Sequence, residues 1–436
     1  MNRTIFIIFF SLILTGCPAK NQEQSQEQNQ EQSQEQNQDQ VQVQSQDQNQ
    51  DQVQGPTRWR GPSGDGIYPD KGLLTEWPAR GPEVLWTYEQ LGQGHSSVVA
   101  DGGFLYTMGM IDTTGYLFKF EKGGEVVWKE TYGPEFSESY YGTRGSPVIA
   151  GDKIYLESGY GKLVCLSNSD GSILWSKKLF EDFDGKNIRW GVNETPVVDG
   201  DIVYATPGGK INNVVALDRH TGKTIWSSKA KREQTAYCTP LLFEHNGRKI
   251  LATHTTSHLI GLDAGTGVLL WSHKQPNKYS VHANTPIYHN GSLYYFSGYG
   301  QGGGLLKLSQ DGSSVTQTWF TPNLDSRMGG AVLVDGYLYG SGDMNRQWRC
   351  LEWETGKEMY VSTALGKGVV IYADGMLYCY SEKGELALVK ADPSAFKVVS
   401  KTRVTHGSEQ HWAHPMIHDG VLYVRHGKAL VAYKVR

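Results

Sequence analysis

The residues best suited to chemistry in this 436-residue sequence lie in eight short segments, each directly before a strand-like run. We call these the lead-in segments. One of them, EQHWAHP (409–415), places two histidines around a tryptophan. The segments differ from one another but share a bias towards aromatic, imidazole, guanidinium and amide side chains, which is typical of a ligand pocket. No catalytic residue is assigned. The candidate ligand-binding residues are His95, Tyr141, Arg144, Arg189, Trp190, Asn193, Glu194, Tyr237, His282, Asn284, Arg327, Lys367, His411, Trp412 and His414.

The charge and ring content of these segments describe the ligand that a pocket would take. The cationic candidates are opposed mainly by Glu194. Because arginine pairs well with carboxylates, the sequence favours an anionic or polar ligand. Trp190 and Trp412 could stack on a planar or sugar ring. An alternative stays equally open, in which the same groups fill a central channel and bond only to one another.

A histidine metal site is a further alternative. Imidazoles bind Zn, Cu or Ni, and the candidates for such a site are His95, His282, His411 and His414. They come from different parts of the chain, however, and positions 411 and 414 would point to opposite faces of a strand. The sequence therefore favours histidines that form hydrogen bonds over histidines that ligate a metal.

The elements that must position the lead-in segments are internal repeats. Eight related starts recur about 45 residues apart, as in SPVIAGDKIYLESG (146–159), TPVVDGDIVYATPGG (195–209) and TPIYHNGSLYYFSG (285–298). Each unit is predicted to form four short strands. The first is an apolar run, and a turn with Gly, Asp or Asn joins it to a second strand that usually carries a tyrosine. The third strand ends at a TG or DG turn, and the fourth carries an aromatic residue. Four-stranded repeats of this length indicate propeller blades.

We therefore predict an all-β protein, an eight-bladed β-propeller of four-stranded blades. The last repeat ends at Arg436 after its third strand, and PEVLWTY around Trp86 supplies the fourth. An N-terminal strand would thus complete the last blade and remove the open sheet edges. Seven blades is the alternative, since the repeats after Gly330 are degenerate. In a propeller the lead-in segments share one face and surround the central channel, a natural concave site.

Two segments carry a family resemblance. ALDRHTGKTIW (216–226) and GLDAGTGVLLW (261–271) closely resemble the tryptophan-docking repeats of the PQQ-like, quinoprotein-type β-propeller family, and WRGPSGDG (59–66) is similar to the start of secreted PQQ-like propellers. That family includes alcohol dehydrogenases that use pyrroloquinoline quinone (PQQ) and the lipoprotein subunit of the outer-membrane barrel-assembly machine. The resemblance implies a propeller over roughly residues 56–436 and two alternative functions, PQQ-dependent oxidation of alcohols or sugars and a scaffold in an assembly complex.

The oxidoreductase alternative depends on PQQ and Ca²⁺. The resemblance implies a Ca²⁺ ion held by carboxylate and amide oxygens, an aspartate base and often a disulfide between adjacent cysteines. Asn193 and Glu194 are the candidate Ca²⁺ ligands, and Asp325 is the nearest candidate base. No two cysteines are adjacent in the sequence. We therefore expect a protein that is not an enzyme, with this oxidoreductase as the alternative.

The N-terminus predicts a membrane anchor. Arg3 precedes an apolar run that is too short to span a bilayer, and LTGC (14–17) resembles a bacterial lipobox. We expect a signal peptide over residues 1–16, a lipidated Cys17 with a disordered Gln-rich linker over residues 17–54, and the propeller over residues 55–436. The lipid would hold the protein to a membrane. Because no aspartate follows the cysteine, the outer membrane is favoured.

The overall charge composition limits the classes of partner that the protein could bind. The 41 basic and 45 acidic residues nearly balance, which argues against a nucleic-acid partner. We expect a monomeric protein of the cell envelope that binds a small molecule, a glycan or an envelope protein on the face formed by the lead-in segments.

Overall fold

The structure is a computed structural model that describes residues 55–328 and 330–436. The predictions of a signal peptide, a lipidated Cys17 and a Gln-rich linker fall on residues 1–54 and lie outside the described residues. Within the described ranges the chain forms eight four-stranded antiparallel sheets. The prediction of eight blades is therefore confirmed, and the alternative of seven is wrong.

Each of the first four blades uses four consecutive strands, ordered from the central channel outwards. Blade 1 contains β2 (Val99–Asp101), β3 (Phe104–Ile111), β4 (Thr114–Glu121) and β5 (Val126–Pro134). Blade 2 contains β6 (Val148–Ala150), β7 (Lys153–Glu157), β8 (Lys162–Ser167) and β9 (Ile173–Lys178), followed by a short helix, α1 (Leu179–Asp182). Blade 3 contains β10 (Val197–Asp199), β11 (Ile202–Ala205), β12 (Val214–Asp218) and β13 (Thr224–Ser228). Blade 4 contains β14 (Leu241–His245), β15 (Arg248–His254), β16 (His258–Asp263) and β17 (Leu269–Lys274).

The next three blades repeat this order, and the last closes the ring. Blade 5 contains β18 (Ile287–His289), β19 (Ser292–Ser297), β20 (Gly302–Leu308) and β21 (Val315–Thr321). Blade 6 contains β22 (Ala331–Val334), β23 (Tyr337–Ser341), β24 (Trp348–Glu352) and β25 (Glu358–Ser362). Blade 7 contains β26 (Gly368–Ala373), β27 (Met376–Ser381), β28 (Glu385–Lys390) and β29 (Val398–Arg403). Blade 8 contains β30 (Met416–His418), β31 (Val421–His426), β32 (Ala429–Lys434) and, as its outer strand, β1 (Val84–Tyr88).

The closure of blade 8 joins the two ends of the propeller. Strand β1 pairs antiparallel with β32, with Trp86 opposite Ala432 and Tyr88 opposite Leu430. The predicted closure by an N-terminal strand is confirmed. Within residues 55–328 and 330–436, no helix has the length and apolar character needed to cross a bilayer.

The hairpin turns between first and second strands follow from their residues. In five blades an Asn or Asp with φ between +47° and +52° precedes a glycine with positive φ, at Asn246, Asn290, Asp335, Asp374 and Asp419. Two successive residues with positive φ form the tight turn whose twist matches that of antiparallel strands, and Asn-Gly and Asp-Gly accept it most readily. These turns all lie on one face of the ring, which we call the hairpin face. The lead-in segments lie on the opposite face, which we call the funnel face.

The core lies between neighbouring blades. The buried cluster of blades 2 and 3, for example, combines Val148 and Cys165 with Val203 and Leu217. Tryptophans on the outer strands lock the blades together at their edges, because their indole N–H donates to a carbonyl of the next blade. Trp175 Nε1 donates to Arg219 O at 2.9 Å, and the same contact recurs at Trp86, Trp226 and Trp319.

The segment before β1 enters the central channel. Thr57 pairs with Ile149 of blade 2, Arg60 donates to Ala331 O of blade 6, and Gly66 O accepts from Tyr372 N of blade 7 at 2.8 Å. Residues 56–68 thus contact the inner strands of well-separated blades, and we call them the N-terminal insert. The chain then reaches the outer edge, where Trp77 N donates to Ser400 Oγ.

Candidate functional site

Equivalent hydroxyls at the start of the inner strands form an arc around the channel. The position two residues before the inner strand is Ser97, Ser146, Thr195, Thr239, Thr285 or His414 in six of the blades. From blade to blade, Ser97 N donates to Ser146 Oγ at 3.0 Å, Ser146 N to Thr195 Oγ1 at 3.2 Å and Thr195 N to Thr239 Oγ1 at 3.0 Å. His414 N donates to Ser97 Oγ at 3.0 Å and extends the arc to blade 8. We call Ser97, Ser146, Thr195 and Thr239 the hydroxyl arc.

Above this arc the lead-in segments enclose a cavity of about 200 Å³. Eight predicted residues line it: His95, Arg144, Trp190, Asn193, Tyr237, Arg327, Trp412 and His414. The structure brings these side chains together from blades that are distant in sequence. An open volume therefore lies between these side chains.

Aromatic rings dominate the cavity wall. Trp412 contacts His95 and Tyr140, with ring centroids 4.9 and 5.3 Å apart. On the opposite blades Trp190 lies 6.3 Å from Tyr237. Three lining tyrosines, at 140, 237 and 299, have φ of +46°, +71° and +61°. This backbone region is costly for bulky residues and is retained mostly at functional sites, so the loops hold these rings against a local preference.

The cavity arginines are already committed to partners within the protein. Arg327 Nη2 donates to Glu382 Oε1 at 2.9 Å, and its Nε lies 3.6 Å from Asp343 Oδ1. Lys367 pairs with the same two carboxylates, so the four charges balance. Arg144 donates instead to the carbonyl oxygens of residues 139, 140 and 142. The excess of positive charge inferred from the lead-in segments is therefore largely neutralised by residues elsewhere in the loops.

The two cavity histidines are neutral. Burial, followed by the charges of Arg425 and Arg144, lowers the pKa of His95 to about 3. Burial, followed by the charge of Arg60, lowers the pKa of His414 to about 3. His414 Nε2 lies 2.9 Å from Met328 O, and because a carbonyl oxygen only accepts, Nε2 carries the proton and donates it. The unprotonated Nδ1 then accepts from Arg60 Nη1 at 3.3 Å. Both nitrogens of His95 are buried and have no hydrogen-bond partner among residues 55–328 and 330–436.

The N-terminal insert supplies part of the cavity wall. Trp59 lines the cavity and contacts the edge of His414, with centroids 5.0 Å apart. Sequence reasoning missed the four residues of the hydroxyl arc as well as Trp59, Tyr140, Tyr299 and Met328. Tyr140 lies in a lead-in segment next to the predicted Tyr141, so the same sequence signal could have identified it. Trp59 and Tyr299 lie in segments that the repeat pattern does not bring to the channel.

Seven predicted residues lie outside the cavity lining. Tyr141 is exposed, Arg189 lies over the ring of Trp190 at 4.9 Å, and Lys367 forms the ion pairs above. His282 is buried with its ring stacked on His254, and Asn284 donates to the carbonyls of Phe296 and Ser326. His411 stacks on His426 at 3.6 Å and bonds to Tyr380. Glu194 is buried and accepts from Thr206 and Thr235.

The residues implied for PQQ and Ca²⁺ do not fit those groups. Both carboxylate oxygens of Glu194 are taken by threonine hydroxyls, and its carboxylate does not line the cavity. Asp325 accepts from the backbone N–H groups of Gly300, Asp343 and Met344, and burial raises its pKa. Over residues 55–328 and 330–436, no three His, Cys, Asp or Glu side chains are grouped as metal ligands. The cavity arginines already donate to Glu382 and to backbone carbonyls, so a tricarboxylate would have to compete with these partners.

Comparisons with known proteins agree on the architecture. The crystal structure of BamB from Moraxella catarrhalis superposes with a TM-score of 0.59 at 13% identity, over 81% of this chain and 99% of that one. A europium-containing methanol dehydrogenase superposes with a TM-score of 0.63 at 13% identity, over 86% of this chain and 91% of that one. At these identities the likeness shows the fold alone.

Sequence comparison is more specific. The uncharacterized protein RP232 of Rickettsia prowazekii (strain Madrid E) is 23% identical over 290 residues, which are 63% of this chain and 64% of that protein. The chain thus spans slightly less than two thirds of this relative. Residues 113–359 match the family described as outer membrane protein assembly factor BamB. That match covers more than half of the sequence, and the chain therefore belongs to the BamB family of PQQ-like β-propellers.

Proposed function

We propose that this protein is a binding protein of the cell envelope, anchored by a lipid on Cys17, that holds a small ring-shaped ligand in the cavity of its funnel face. The observation that carries the proposal is the cavity itself. It combines three tryptophans, three tyrosines in a costly backbone conformation and a set of hydroxyls, which come from several blades and from the N-terminal insert. A concave aromatic site with a few placed polar groups is the usual form of a small-ligand site.

The chemistry of the lining supports binding rather than catalysis. General acid–base catalysis works best with a group whose pKa is near the working pH. The pKa of His95 and of His414 is about 3, and burial raises the pKa of Tyr237 to about 12. Among the described residues that line the cavity there is no Asp, Glu, Cys or Lys. A binding role is therefore the simplest use of this site.

The location follows from sequence and family together. The lipobox-like LTGC points to a lipoprotein, and the family description, outer membrane protein assembly factor, favours the outer membrane. The mass of the mature N-terminal peptide tests this proposal, since lipid on Cys17 would add to it.

A second candidate function is docking of an envelope protein, in keeping with the family description of outer-membrane protein assembly. Large apolar side chains are exposed on the funnel face, among them Ile211 at 60% and Met344 at 68%. They follow the second strands of blades 3 and 6, on the same face as the cavity. If a partner binds there, a ligand in the cavity would lie at the interface.

The test of the proposed function is a fluorescence titration of the full-length protein. The probes are glucose, glucuronate, benzoate and imidazole, which are single rings of different charge. We expect saturable quenching by at least one probe. Trp412→Ala should abolish it, because this ring forms one wall of the cavity, whereas Trp226→Phe, at a blade edge, should leave it unchanged.

Two results would contradict the proposal. One is the absence of saturable quenching with every probe. The other is turnover of an alcohol or sugar by the protein supplied with PQQ, Ca²⁺ and an artificial electron acceptor, which would establish the oxidoreductase alternative.

A further inference from the structure

We infer that the ligand of the funnel cavity is a neutral pyranose ring, held by donated hydrogen bonds from the hydroxyl arc. This inference rests on the proposed function and adds the chemical class of the ligand. It is carried by three features of the cavity: uncommitted donors, committed charges and a single-ring size.

The donors come from the hydroxyl arc. Each of Ser146, Thr195 and Thr239 uses its oxygen to accept a backbone N–H of the preceding blade, and Ser97 accepts from blade 8. None of the four O–H groups donates to an acceptor within residues 55–328 and 330–436, and all four residues line the cavity. The accepted N–H holds each oxygen in place, so the hydroxyl proton is left for a ligand.

The equivalent position in blade 5 shows the contrast. Thr285 aligns with the arc, but its hydroxyl donates to Thr239 O at 2.8 Å and the residue does not line the cavity. The amide of Asn193 adds a further polar group to the cavity, without a side-chain hydrogen bond in the described part of the chain. The free hydrogen-bonding capacity therefore consists of neutral groups at the arc and beside it.

The charged groups of the cavity point away from an ionic ligand. Arg327 is balanced by Asp343 and Glu382, and Arg144 already donates three hydrogen bonds to backbone carbonyls. A carboxylate on the ligand would have to compete with these partners, and a cation would meet no carboxylate in the lining. A neutral ligand that offers several oxygens avoids both costs.

Size and shape complete the argument. The cavity, at about 200 Å³, is smaller than the roughly 300–1,000 Å³ of sites for drug-sized ligands. A single pyranose has hydroxyl oxygens at its edge for the arc and apolar C–H faces for Trp190 or Trp412. The same ring can be a free monosaccharide or the end residue of a glycan, and both share this chemistry.

The experiment is calorimetric titration of the full-length protein, dispersed in a detergent without a sugar head group. The probes are glucose, glucuronate and maltotriose. We expect glucose to bind and glucuronate to bind no more tightly, since the arginines are committed. Tighter binding of maltotriose than of glucose would identify a glycan end, and equal or weaker binding a free monosaccharide.

Variants of the hydroxyl arc test the contacts. Ser146→Ala and Thr195→Val should each weaken glucose binding by roughly two- to tenfold, the effect of losing one hydrogen bond. Thr285→Val is the matched control and should leave the affinity unchanged. If an arc variant fails to fold, Asn193→Ala replaces it, because that side chain has no internal hydrogen bond to lose.

The outcomes separate the two proposals. Tighter binding of glucuronate than of glucose, or unchanged glucose affinity in every arc variant and in Asn193→Ala, would overturn the pyranose inference. If benzoate or imidazole binds in a Trp412-dependent way and no sugar does, the inference fails and the proposed function stands. If no probe binds, both fail.

Discussion

The chemical behaviour of single side chains in this protein depends more on their burial than on their residue type. His95 and His414 are candidate metal ligands in the sequence, yet burial and neighbouring arginines keep both neutral. Glu194 looks like a Ca²⁺ ligand, yet two threonine hydroxyls occupy its carboxylate. Sequence reasoning found eight of the side chains around the cavity because they depart from the repeat, and it missed the hydroxyl arc because that arc belongs to the repeat. It could not assign their partners, since these come from other loops.

The carboxyl of Glu194 gives a pH-dependent prediction. Burial raises its pKa to about 7, against about 4.3 for an exposed glutamate. Between these values the folded protein keeps a proton that the unfolded chain has lost, so this group's contribution to stability falls as the pH rises. Glu194→Gln removes the titration. We expect variant and wild type to melt at similar temperatures at pH 5 and the variant to melt higher at pH 8.

Thermal unfolding followed by circular dichroism measures this difference. Glu121→Gln, at an exposed site, is the control and should show no pH-dependent difference. A Glu194→Gln variant whose advantage shrinks between pH 5 and pH 8 would contradict the assigned direction.

At the scale of elements, the contact between outer-strand tryptophans and glycine turns is what the repeat encodes. Gly222 of blade 3 has φ of +68°, and a Cβ there would lie 2.8 Å from the ring of Trp175 in blade 2. The glycine is therefore needed twice, for its backbone and for the close approach. The constant spacing from the TG turn to the tryptophan allowed this contact between blades to be predicted from the sequence. The position of the N-terminal insert could not be predicted, because WRGPSGDG does not align with any of the repeats.

A glycine comparison tests this docking contact. Gly200 has φ of +53° and open space around its Cβ position, so Gly200→Ala should cost only the backbone strain, about 1 kcal/mol. Gly222→Ala adds the clash with Trp175, and we expect it to cost at least about 1 kcal/mol more. Urea unfolding of both variants measures the two losses. Equal losses would show that the tryptophan contact contributes nothing.

At the scale of the molecule, one strand closes the ring. Strand β1 completes blade 8, and Trp86 Nε1 donates to Lys122 O of blade 1 at 2.9 Å. The strand count predicted this closure. The last repeat has only three strands and one extra strand precedes the first repeat, so a four-stranded last blade needs the extra strand. The strand count could not predict how deep the central channel is or which side chains occupy it.

Removal of the closing tryptophan should open the ring locally. Trp86→Ala should cost about 2 kcal/mol, less than a fully buried tryptophan, because the ring is only partly buried. Amide hydrogen exchange should rise in blades 8 and 1. Trp319→Ala, which breaks the same contact between blades 5 and 6, should raise exchange there instead. The same exchange pattern in both variants would argue against closure at β1.

The central claim is that the funnel cavity is a site for a pyranose ring, and locating a bound ring tests it most directly. The measurement is a crystal structure of the protein soaked in methyl glucoside. The account predicts one pyranose in the cavity, packed against Trp190 or Trp412, with its oxygens accepting from Ser146 and Thr195. A cavity that holds only water, with glucoside absent or bound on another surface, would contradict it.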